Sequence, residues 1–130
     1  MNVLLGFVVL SWLSLMAPAV VPEPQHIAGD YTCSGESDGH PYTLTLGITT
    51  LGQDTYRLEW QAKDPSSTQM ATVYVGLGMK SADVLAVLFM SREGQVAVSL
   101  YRIKGSTLSG EWTSGDGERY PEECHREESL

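Results

Sequence analysis

The sequence predicts an all-β protein: a single antiparallel up-and-down barrel of about eight strands. Three observations lead there. Apolar residues recur at every second position in most segments after position 28, the spacing of strands with one buried face. Short polar turns separate nearly all of these segments, and short turns join sequence neighbours as antiparallel pairs. The two cysteines, Cys33 and Cys124, stand near the two ends of the patterned region, where a meander must meet itself to lose its two open edges. A β-sandwich is the alternative, and it calls for longer connections between sheets.

The 130-residue chain allows one domain, and its start does not belong to it. Met1 to Val21 carries no charged side chain, and Val3 to Met16 is almost continuously apolar before Ala17-Pro18-Ala19. That is the form of a secretory signal peptide, residues 1–19, cleaved after Ala19. No Lys or Arg precedes the run, and its length also suits an uncleaved membrane anchor, against which Pro18, Ser11 and Ser14 argue. Residues 20–28, with Pro22-Glu23-Pro24-Gln25, form a linker, residues 29–124 the barrel domain and residues 125–130 an acidic, frayed tail. The formal net charge of −8 argues against nucleic acid and anionic membranes as partners. Export to the periplasm or extracellular space favours a Cys33–Cys124 disulfide over two free thiols. The bond would close a loop of roughly 90 residues, worth about 4.5 kcal/mol on a chain-entropy estimate.

Within the domain, Tyr31 and Cys33 share one face of the first strand, and Gly35 to Pro41 supplies a loop containing Asp38-Gly39. In the next strand Tyr42, Leu44, Leu46 and Ile48 alternate with Thr43, Thr45, Gly47 and Thr49, with a bend or bulge expected at Gly47. Thr55 to Lys63 is the clearest strand. Tyr56, Leu58, Trp60 and Ala62 point one way and Arg57, Glu59, Gln61 and Lys63 the other, so a one-residue slip would bury three charges. After the loop at Asp64 to Thr68, Met70 to Met90 reads as a hairpin turning at Lys80-Ser81-Ala82-Asp83. Its first arm sets Gly76 and Gly78 on one face, where a neighbour or ligand must come close. Its second arm, Val84 to Met90, is apolar on both faces; a helix capped by Ser81 is the weaker reading, since the run has only seven residues. Gln95 to Lys104 changes its apolar face near Ser99-Leu100, which predicts a bulge. Leu108, Gly110 and Trp112 alternate in the next strand, and a short last strand is expected near Glu118 to Glu123.

The residues of chemistry offer no site. Ser34-Gly35-Glu36 and Ser109-Gly110-Glu111 lack the strand-to-helix elbow of a nucleophile, and Gly76-Leu77-Gly78 lacks the third glycine and the helix of a dinucleotide fingerprint. His26, His40 and His125 have no ligand spacing, and Asp116-Gly117-Glu118 is better explained as a turn than as a calcium loop. No catalytic residue, cofactor or metal is expected. The aromatic faces are more informative. Trp60, Trp112, Tyr56 and Leu108 either fill the barrel or line a pocket for an apolar small molecule.

Gly29-Asp30-Tyr31, Gly39 to Tyr42, Tyr56 to Trp60, Gly76-Leu77-Gly78, Leu85-Ala86-Val87, Val98 to Ile103 and Leu108 to Trp112 together resemble a group of small exported bacterial β-barrel proteins, mostly uncharacterised and often labelled fibronectin-binding-like. The resemblance covers about Gly29 to Glu118, and its motifs are structural; the two cysteines and the Met-rich hairpin depart from it. It implies adhesion or protein binding and assigns no residue a role. Leu108-Ser109-Gly110-Glu111-Trp112 also looks like an element of lipocalin/avidin-like barrels, where Gly-x-Trp packs the barrel end, though here it lies late in the chain. The first functional expectation is therefore a non-enzymatic exported barrel that binds a protein or a surface. The second is a carrier of an apolar small molecule. Because one face of Val84–Met90 must point outward, Leu85, Val87 and Phe89, or else Ala86 and Leu88, are expected to form an exposed stripe for a partner or a homodimer.

Overall fold

The computed structural model describes residues 26–64, 66 and 68–128. The expected leader and all but the last residues of the expected linker lie outside them. Eight strands follow one another as an antiparallel meander: β1 Gly29–Ser37, β2 His40–Gly52, β3 Thr55–Lys63, β4 Met70–Ser81, β5 Val84–Ser91, β6 Val96–Lys104, β7 Thr107–Thr113 and β8 Tyr120–Arg126. Strand β8 returns to pair with β1, closing the barrel. Closure gives every strand a neighbour on both sides over its central residues; among the described residues the ladders run on one side alone at strand ends such as His40 to Leu44 of β2 and Met70 to Val73 of β4. Among the described residues there is no helix.

Closure is fastened where expected. Cys33 lies directly opposite Cys124 in the β1–β8 ladder, and the two form a disulfide whose sulfurs are fully buried. Strand β3 follows its sequence pattern, with Tyr56, Leu58 and Trp60 buried and Arg57, Glu59 and Lys63 turned outward. The β1–β2 connection is tighter than expected. The strands run to Ser37 and from His40, and only Asp38 and Gly39 turn the chain, both at positive φ. Asp-Gly adopts that mirror-image turn because its twist matches the twist of the flanking strands.

Three expectations are corrected. Gly47 stays in register with Asp30 and Glu59, and the bulge of β2 falls between Thr50 and Gly52. A second irregularity lies at Trp60/Gln61, where β4 carries Val73 as an extra residue. Strand β6 has no bulge at Ser99-Leu100: it pairs without a break from Val96 to Lys104. Its inward residues are Ala97, Ser99, Tyr101 and Ile103, and Val96, Val98 and Leu100 are simply exposed. Last, β8 continues through His125 and Arg126, two positions assigned to the tail.

The barrel has a packed end and an open end. At the packed end Ile27 enters from outside β1 and is buried with Ile48, Leu58, Leu85, Ile103 and Leu108. The Tyr31 hydroxyl donates to the Ile27 carbonyl at 2.7 Å. Arg126 lays its guanidinium over the Tyr31 ring at 5.3 Å and donates from Nη2 to the His26 carbonyl and the Tyr31 hydroxyl. Tyr31 of Gly29-Asp30-Tyr31, rather than Trp112, therefore packs the barrel end. The other end carries the longer connections, at 64–69, 92–95 and 114–119, and it opens into the interior.

Candidate functional site

The site is built by residues of even spacing on four inward faces. Tyr42 on β2, Tyr101 on β6, Trp112 on β7 and Glu122 on β8 converge below the open mouth. The Tyr42 hydroxyl donates to Glu122 Oε2 at 2.7 Å, and the Tyr101 hydroxyl donates to Oε1 at 2.5 Å. Trp112 Nε1 in turn donates to the Tyr42 oxygen at 2.9 Å. Gly35 on β1 makes the arrangement sterically feasible, since a Cβ there would overlap the Tyr42 hydroxyl. Glu122 is only 6% exposed, so its acceptance of two charge-assisted bonds is what makes its burial tolerable.

The environment acts back on the phenols. Burial first, and then the neighbouring Glu122 charge, push the Tyr42 hydroxyl well above the ordinary phenol range. The same two causes, in the same order, raise Tyr101. Both therefore stay protonated donors at any physiological pH. The Ser99 hydroxyl, buried on the same face of β6, pulls Tyr101 weakly the other way without reaching hydrogen-bond geometry. At the rim, Tyr120 donates to Asp116 Oδ2 at 2.6 Å with Asp38 Oδ1 3.3 Å away, tying the β7–β8 loop to the β1–β2 turn. The bond to Asp116 raises the Tyr120 hydroxyl and lowers the Asp116 carboxyl.

Above this polar floor lies a cavity of about 420 Å³. Its walls are Leu44, Trp60, Val73, Tyr74, Phe89, Ala97 and Trp112. Phe89 is the hub of the aromatic wall, with ring centroids 5.0 Å from Trp60, 5.5 Å from Tyr74 and 6.4 Å from Trp112, the last two edge-to-face. Gly76 leaves room for this hub: a Cβ there would meet the Phe89 Cβ at 2.9 Å and Trp60 at 3.2 Å. The carboxylate of Glu122 lies within 4.8 Å of both disulfide sulfurs, but sulfurs bonded to each other offer no thiolate to a metal.

Of the residues expected to line an interior pocket, Trp60 and Trp112 line this cavity and Tyr56 and Leu108 do not. Tyr56 and Leu108 lie four residues earlier on the same faces of β3 and β7, which is about 13 Å down the strand and inside the packed half. Glu122, Tyr42 and Tyr101 were not singled out from sequence. Glu122 had one signal: it is two residues from Cys124, so the alternation that buries the cysteine also buries the carboxylate.

Of the two stripes expected on β5, the first is corrected and the second, Ala86 and Leu88, faces outward. Leu85, Val87 and Phe89 are 0%, 3% and 8% exposed and form the core. The outward face of β5 is Ala86, Leu88 and Met90, flanked by Val75, Leu77 and Met79 of β4 and Val96, Val98 and Leu100 of β6. The parity follows from β4, where only the glycine face, Gly76 and Gly78, lets the inward Phe89 and Leu85 approach. A shallow apolar groove of about 810 Å³ runs over this outer face.

Comparison with known proteins bears on the architecture. No family model matches the chain, and no curated protein matches it. Among solved structures it is similar to a de novo designed fluorescence-activating β-barrel, with 14% identity, a TM-score of 0.61, and coverage of 77% of this chain and 93% of the designed one. The shared property is the fold.

Proposed function

We propose that the protein is a non-catalytic, exported binding protein that holds a small, largely apolar molecule in the open end of its barrel. One observation carries this reading: an aromatic-walled cavity of about 420 Å³ stands over converging polar groups, the usual composition of a small-molecule site. A barrel that needed only a filled core would pack both ends as it packs the Ile27 end. The buried disulfide suits an oxidising compartment, in line with the leader read from the sequence. The fluorescence-activating function named for the similar designed barrel is compatible with an accessible interior.

The test is titration of the oxidised protein with N-phenyl-1-naphthylamine, a neutral apolar fluorophore, read by energy transfer from tryptophan. Saturable binding is expected in the native protein. It should be lost in Ala97→Phe, which fills the cavity from β6. Binding that survives Ala97→Phe, or no binding across a panel of apolar probes, overturns the reading.

The outer face supports a second reading, a protein contact. Leu77, Met79, Leu88 and Leu100 are 54–68% exposed on adjacent strands, and contiguous exposed apolar patches mark contact sites. A contiguous apolar face on three neighbouring strands offers the same patch to a second copy about a two-fold axis. Sedimentation should give a dimer for the native chain and a monomer for Leu88→Lys, and a monomeric native chain removes this reading.

A further inference from the structure

We propose that the molecule held in this cavity is an organic cation, a protonated amine on an aromatic or other apolar body. The inference rests on the cavity reading above and names its ligand class. Glu122 is more than nine-tenths buried, and among the described residues the cavity it floors has no Lys, Arg or His in its lining. Among the described residues, its hydrogen-bond donors there are two neutral phenols. Two neutral donors solvate a carboxylate without cancelling its charge, and a buried charge with no counter-ion is costly. Each oxygen accepts one hydrogen bond, whereas a carboxylate offers about four acceptor positions in all, so Glu122 retains capacity for an ammonium N–H.

The walls select in the same direction. Trp60, Tyr74, Phe89 and Trp112 enclose the space above the carboxylate, and the negative faces of aromatic rings attract cations, tryptophan most strongly. The chain's net charge of −8 favours approach of cations over anions. An anion would meet an uncompensated carboxylate in a desolvated site. A neutral apolar ligand gains the walls but returns nothing to that carboxylate, so it binds more weakly than an amine of the same size. The amine alone answers both the floor and the walls.

The test uses the oxidised full-length protein and three probes of one size near neutral pH: phenethylamine, 2-phenylethanol and phenylacetate. Calorimetry, with tryptophan fluorescence as a second readout, should rank phenethylamine at least about tenfold tighter than the alcohol and phenylacetate weakest. In Glu122→Gln, with folding verified by circular dichroism, the amine should fall to within about twofold of the alcohol. Should that variant not fold, the ranking in the native protein decides, with Trp60→Leu expected to narrow the gap between amine and alcohol. Equal binding of alcohol and amine, tighter binding of phenylacetate, or an amine preference that survives Glu122→Gln overturns the proposal while leaving the cavity reading in place. So does failure of all three probes when N-phenyl-1-naphthylamine still binds. Failure of all four overturns both.

Discussion

Tyr42→Phe removes one oxygen and leaves the ring, so it isolates the hydrogen bonds that hold the floor of the cavity. Two groups lose a partner: the Trp112 indole N–H, 2.9 Å away, and Glu122 Oε2, 2.7 Å away. They do not count equally. Trp112 is half-buried at the mouth, where water can replace the lost acceptor. Glu122 is buried and keeps only Tyr101, and a hydrogen bond to a charged group is worth about 1.5–3 kcal/mol. The expected loss is therefore about 2–3 kcal/mol, set by the carboxylate, which for a domain of this size lowers Tm by about 10–20 °C. Urea unfolding followed by circular dichroism and tryptophan fluorescence measures it, with the denaturant slope unchanged. In a Glu122→Gln background the same substitution should cost only about 1 kcal/mol, because a neutral amide gains less from the phenol. A loss below about 0.5 kcal/mol, or equal losses in the two backgrounds, refutes the claim that Tyr42 supports a buried carboxylate.

Three further outcomes are expected. Stability should fall as pH rises above 10, the ordinary phenol value. The unfolded chain releases the Tyr42 and Tyr101 protons there and the folded chain keeps them, so the contribution is complete below pH 10 and declines by at most about 1.4 kcal/mol per pH unit for each retained proton; denaturation midpoints constant through pH 11 would contradict it. Replacing Cys33 and Cys124 together by alanine should cost about 4–5 kcal/mol on the chain-entropy estimate for a loop this long, with amide exchange rising first along β1 and β8, and a loss under about 1 kcal/mol would show closure to be independent of the bond. Gly110→Ala should cost about 3 kcal/mol or more, because its Cβ would stand near-coincident with backbone, 2.8 Å from the Leu100 carbonyl carbon and 2.9 Å from the Tyr101 Cα; wild-type stability would mean that β6 and β7 separate freely.

Some of this architecture was decided residue by residue along the chain. In Thr55–Lys63 the charges of Arg57, Glu59 and Lys63 would all be buried by the wrong face, so alternation alone oriented β3 and placed Trp60 inside. Asp38-Gly39 selected its turn through local backbone preference. The cysteines at the two ends marked where the meander closes. Other features had no local cause. Strand β5 is apolar on both faces, and β6 offers Val96, Val98 and Leu100 against Ala97, Ser99 and Tyr101, so hydrophobicity ranked neither face. Pairing ranked them: β5 and β6 are held in register with β4, whose glycines can face only the crowded interior. The floor of the cavity lies still further from local control. Tyr42 and Glu122 are 80 residues apart, and Tyr101 and Glu122 are 21. Tyr42 and Tyr101 read as ordinary strand residues, and Glu122 carries only the parity it shares with Cys124, until closure of the barrel makes β8 a neighbour of β1 and brings the three together. The chain by itself determined that strands alternate, where they turn and where they close. Only the tertiary structure decided that one end is plugged by Ile27 and the other left open above a charge, because that depends on which side chains meet across the barrel.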